Sequence, residues 1–141
     1  MTTNIAKHTQ AEQKQRAIKR LAQIFRDHWE EGRVGSTRIF EHVVPDAWLI
    51  CARSSSGGRY REHIVPCVLI RDQSMKMYQA GELVEAVAMM IERHLAIVLI
   101  SEEEKNRMDK QRGWKTTMPE GWEFGSGDPF ARLTSCGIEF S

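Results

Sequence analysis

Behind Thr9-Gln-Ala-Glu12, apolar residues recur at Ile18, Leu21, Ala22, Phe25 and Trp29. Steps of three and four place them along one side of a helix. Thr9 and Glu12 are spaced as a capping box, in which each side chain satisfies a backbone N–H of the other that the first turn leaves without a partner. Gly32 supplies a stop. These signals predict a helix from about Thr9 to Glu31. Its other side carries Lys14, Arg16, Lys19, Arg20 and Arg26. Such a row is either the solvated face of an amphipathic helix or a surface for phosphates and acidic groups.

The remaining pattern alternates between short β-branched runs and helical spacing. Residues 37–44 predict a strand, and Pro45 to Ala52 a short helix with proline in its first turn. Ser54-Ser-Ser-Gly-Gly58 is a flexible loop, and residues 60–65 a second short strand. Val68, Leu69, Ile70, Met75 and Tyr78 fit a buried helix over Cys67–Tyr78. Gly81 separates it from a clearer helix, Glu82–His94, with Leu83, Val84, Val87, Met90 and Ile91 on one side. Leu95-Ala-Ile-Val-Leu-Ile100 is the most apolar run and predicts a central strand. Ser101-Glu-Glu-Glu104 is a second capping box and opens a polar helix to about Lys110. Residues 113–127, rich in glycine and tryptophan, read as loop. Asp128-Pro129 starts a short helix that ends at Ser135 before Gly137, and 137–140 is a final edge strand. The expected fold is a single α+β domain over 1–141, with a long N-terminal helix and helices covering one face of a small sheet.

Composition narrows the function classes. With 20 basic and 19 acidic residues the formal net charge is +1, so bulk charge drives the chain to neither nucleic acid nor membrane, although a local basic patch can still act. No apolar run approaches the roughly 20 residues of a membrane span. The polar N-terminus lacks the apolar centre of a secretory signal. A cytoplasmic location is expected. Cys51, Cys67 and Cys136 lack metal-finger spacing, and their odd number argues against a disulfide framework. They read as reduced thiols packed as small apolar groups. No phosphate-binding glycine loop or nucleophile elbow is present, and the five histidines show no zinc-binding pair.

One pentapeptide occurs twice. Glu-His-[Val/Ile]-Val-Pro stands at Glu41–Pro45 and at Glu62–Pro66. Each copy could simply end a strand. A carboxylate beside an imidazole could also bind a hard cation and take a proton from water. After the second copy come a helical insertion, the Ala96–Ile100 strand and the helix opening at Ser101. Over residues 59–110 this order resembles the HNH endonucleases of the ββα-metal type, whose first motif is Asp-His or His-His followed by Ile-Val-Pro. The resemblance implies a divalent metal, Mg²⁺ or Mn²⁺, on Glu62, and His63 as the general base. The second half of the motif departs from the family. Ala96 stands where an Asn would orient the base, and Lys105 where a His would bind metal. Glu103 or Glu104 could substitute only with a one-residue shift of the helix.

The C-terminal segments Met118-Pro-Glu-Gly-Trp122 and Asp128-Pro-Phe-Ala-Arg132 resemble those of small uncharacterised proteins of phages and other mobile elements. Together the resemblances imply a non-enzymatic binding protein of such an element, without cofactor, acting on a host protein or nucleoprotein complex. An inhibitor of a bacterial defence system of the anti-CRISPR kind is the concrete form. The alternatives are an active metal-dependent nuclease and a DNA-binding accessory protein. Candidate contact residues are Lys14, Lys19, Arg20 and Arg26 on the basic helix, Glu103 and Glu104 on the acidic one, and Trp122 in the loop.

Overall fold

The computed structural model describes residues 4–141. Helix α1 (Gln10–Glu30) has the expected capping box: the Thr9 hydroxyl accepts from the Glu12 N–H, and the Glu12 carboxylate accepts from the Thr9 N–H. It ends before Gly32, whose φ of +69° favours glycine. Then follow α2 (Ile39–Val43), a 3₁₀ turn (Asp46–Trp48), β1 (Ile50–Arg53) and β2 (Tyr60–His63). Two longer helices, α3 (Cys67–Gln79) and α4 (Val84–His94), lead to β3 (Ile97–Ile100). Helix α5 (Glu102–Asn106) runs into a π turn (Arg107–Gln111), and α6 (Ala131–Ser135) lies near the C-terminus.

These elements make one α+β domain around a sheet of order β1-β3-β2. Strand β3 is central, parallel to β1 and antiparallel to β2. Its residues Ile97, Val98 and Ile100 are fully buried, and successive residues point to opposite faces. Both faces of this strand are therefore covered. Ala17, Leu21 and Phe25 of α1 share the core with Val87 and Ile91 of α4. Met108, Met118, Leu133 and Ile138 of the C-terminal third belong to the same core. Gly58 packs directly on the main chain of Ile100, where a Cβ would come within 1.9 Å of a carbonyl carbon. Only glycine fits there.

Three expectations change. The β-branched run at 37–44 is helical at Ile39–Val43, not a strand. Phe40 and Val44, four apart, are both buried, and Phe40 packs on Phe25 with ring centroids 5.4 Å apart. A helical turn buries both, and that packing outweighs β propensity. The segment 45–52 keeps its helical start for one 3₁₀ turn, then becomes β1 beside β3. Residues 137–140 form a single bridge, Ser54 to Phe140, not a strand. Mutual main-chain hydrogen bonds between Arg53 and Ser141, 3.0 and 3.1 Å, still cover the outer edge of β1.

The two copies of the pentapeptide have different structures. Glu41 and His42 lie in α2, Glu62 and His63 in β2. What they share is the Val-Pro end. Val44 and Val65 are both fully buried, and Pro45 and Pro66 both sit at φ −55° with ψ near 134° and open the helical segment that follows.

Candidate functional site

Glu62 and His63 end β2 and face a cavity of about 350 Å³. Its wall also includes Glu41 of α2, Cys67 at the start of α3, Asp109 of the π turn and Arg132 of α6. Pairing with β3 sets the orientation of β2, with Glu62 opposite Val98 and His63 opposite Ile97.

Arg132 organises the site. Its guanidinium is 1% exposed and lies 2.8 Å from a Glu62 carboxylate oxygen. It also donates to the Trp114 carbonyl at 2.6 Å and to the main-chain carbonyls of His63 and Ile64. A buried guanidinium is tolerated only with a counter-ion and acceptors for its N–H groups. Glu62 supplies the charge, and the end of β2 with the 114–115 loop supplies the acceptors. Burial pushes the Glu62 carboxyl above its ordinary value, against the pull of Arg132. Asp109, on the same wall, forms an ion pair with Lys105 at 3.4 Å, and the Lys105 ammonium lies over the Tyr60 ring, 4.9 Å from its centre.

Burial holds the His63 imidazole below its usual 6.5, and Arg132 adds to this while Asp46 and Glu41 pull the other way. Burial pushes the Cys67 thiol up to about 12, so it stays protonated and is a poor nucleophile at neutral pH. Cys136 is buried as expected, but Cys51 is exposed on β1.

At the positions that the resemblance assigns to a metal site, the side chains have other partners. The Glu62 carboxylate is already paired with a guanidinium, position 96 just before β3 is alanine, and the helix position holds the cation Lys105. Among the described residues no group of three His, Cys, Asp or Glu side chains converges as a ligand set. A one-residue shift does not bring in Glu104. Glu104 is buried and turned away, accepting from Ser54 and Ser56 hydroxyls at 2.7 and 2.8 Å and from the Ser101 N–H at 2.8 Å. Burial raises its pKa, but these hydrogen bonds together outweigh burial and hold it below the ordinary value.

The other candidate contact residues are scattered. Glu103 is exposed on α5, whereas Glu104 is withdrawn into the serine network and presents no surface to a partner. Trp122 is half-buried. Its indole N–H donates to the Asp128 carbonyl at 2.9 Å, and its ring packs against His94 and Phe124, so it closes the core. On α1, Lys19 approaches Glu85 at 3.9 Å and Arg26 pairs with Glu30 at 2.8 Å. Lys14 is half-buried, whereas Arg20 is exposed.

In the sequence, Arg132 figures only as the end of the Asp128–Arg132 segment, and neither it nor Asp109 is a candidate site residue. Arg132 is one of 20 basic residues with no distinguishing spacing. No signal in the sequence marks Arg132 as the partner of Glu62; burial of the carboxylate, seen only in the fold, is what calls for a cation there. No family model, curated protein or solved structure matches the chain.

Proposed function

We propose that the protein is a non-enzymatic binding protein of a phage or mobile element, engaging a host protein or nucleoprotein complex. An inhibitor of a bacterial defence system of the anti-CRISPR kind is the form this reading takes. One observation carries the non-enzymatic part: the Glu62 carboxylate is bound to Arg132 at 2.8 Å, within a buried junction that ties α6 to β2. A group so committed acts as structure. The partner class rests on the resemblance of the C-terminal segments to mobile-element proteins and on the near-balanced charge, which gives little long-range pull on DNA.

The test is direct. Purified protein with Mg²⁺ or Mn²⁺ is expected to leave plasmid and linear DNA intact. Cleavage that disappears in His63→Ala would establish the nuclease reading instead. For the partner, charge reversal at the exposed Glu102 and Glu103 is expected to slow association with a basic protein surface, with the effect strongest at low salt. Unchanged association rates would remove the acidic helix from the interface.

A further inference from the structure

A second cavity, of about 450 Å³, lies between the N-terminal segment, α1 and the 3₁₀ turn. Lys7, His8, Arg16, Arg20 and Trp48 line it, and no carboxylate does. Gln13 holds the segment in place, its side-chain amide donating to the His8 carbonyl at 3.0 Å. Arg16 and Arg20 stand one turn apart on the same side of α1. Elsewhere on that helix Lys19 and Arg26 have acidic neighbours. Among the described residues, no carboxylate lies within ion-pairing distance of Arg16 or Arg20. Glu12, the nearest acid in sequence to Arg16, is held by its capping box and by His8 at 3.8 Å.

Three cations and an imidazole line one concavity into which no carboxylate projects, Glu12 reaching only His8 at its rim, so the site favours an entering anion. The volume falls in the range of small-ligand sites, roughly 300–1,000 Å³. Two guanidinium forks match the oxygens of a phosphate. Trp48 is half-buried in the wall and supplies a flat apolar surface of the kind on which nucleobases stack. We infer that this cavity binds a nucleoside phosphate, with Arg16 and Arg20 on the phosphate and Trp48 against the base. The source is either a free mononucleotide or a unit of a single strand. The inference names a ligand for the binding protein proposed above but uses a different cavity, so a nuclease result at Glu62–His63 leaves it standing.

Calorimetric titration of the full chain tests it with four probes: adenosine monophosphate, a short oligothymidylate, inorganic phosphate and a polyglutamate peptide. Binding of the mononucleotide or the oligonucleotide is expected at low salt, weakening as salt rises. Comparable affinity for the two identifies a free nucleotide, and much tighter oligonucleotide binding identifies a strand. Arg16→Glu with Arg20→Glu is expected to lower affinity about tenfold or more, with circular dichroism and melting temperature unchanged. Trp48→Ala is expected to weaken nucleotide but not inorganic phosphate binding, and Trp48→Phe, which keeps a stacking ring, to retain both. Three results would overturn the inference: no binding of either nucleotide probe at low salt, binding that survives the double reversal, or polyglutamate binding as tightly as the oligonucleotide with no effect of Trp48→Ala.

Discussion

The two cavities are built from the same kinds of side chain but balance their charges in opposite ways. Around the first, Arg132 is paired with Glu62, Lys105 with Asp109, and Arg61 approaches Asp46 at 3.8 Å. Around the second, Arg16 and Arg20 have no acid of their own. Internal pairing makes the first region part of the protein's stability. Its absence leaves the second region's charge uncompensated by the chain, as the inferred nucleoside phosphate site requires. A motif with an acid and a histidine side by side can thus be structural, while a plain row of helix arginines is the better candidate for binding.

The largest expected effect tests the structural half of that contrast. Arg132→Met leaves Glu62 buried without a partner and should cost about 3–5 kcal/mol in urea denaturation. Adding Glu62→Leu should recover most of the loss, because a buried ion pair replaced by apolar groups of similar volume is often neutral. Arg16→Ala with Arg20→Ala should stay within about 0.5 kcal/mol of the parent, as exposed substitutions usually do. Equal losses in the two cases would erase the distinction between the cavities.

A smaller effect is expected from acid. His94 is 1% exposed, its Nδ1 is 2.7 Å from the Met90 carbonyl, and its Nε2 has no partner. Burial holds its pKa below the usual 6.5, although the Met90 carbonyl pulls it upward. The unfolded chain therefore binds a proton that the folded chain resists. Stability is full above about pH 6.5 and falls as pH drops from there toward the depressed folded value. His63 acts in the same direction. Melting temperature should fall by a few degrees between about pH 7.5 and 5.5, and by less in His94→Phe. A profile unchanged by that substitution would assign the acid sensitivity to His63 and the first cavity.

The mildest probe is thiol labelling. A maleimide at mildly alkaline pH should modify the exposed Cys51 quickly, and Cys67 and Cys136 slowly. In Arg132→Met, labelling of Cys67 should accelerate as the cavity loosens. An unchanged Cys67 rate in that variant would show that Arg132 does not hold the cavity closed.

Several features were decided by short-range chemistry and are legible in the chain. Helix α1 needs only the Thr9–Glu12 box, the apolar spacing and Gly32. Strand β3 is the one run apolar enough to be buried on both faces. The Ser101–Glu104 box starts α5, and the Asp128 carboxylate accepts from the Phe130 N–H at 2.9 Å before α6. Tertiary structure decided the rest. The repeated pentapeptide keeps its Val-Pro geometry at both sites, because proline fixes its own φ and restricts the residue before it. Its Glu-His portion is a strand at 62–63, where β3 offers main-chain partners, and a helix at 41–42, where burial of Phe40 and Val44 favours a turn. Strand β1 was unreadable for the same reason: its partner comes only after β2, α3 and α4. Charge pairing is equally non-local. Nothing near Glu62 announces Arg132, and nothing near Arg16 announces that no carboxylate lines its cavity, because an ion pair is set by distance in space, and only the packed fold brings those residues together.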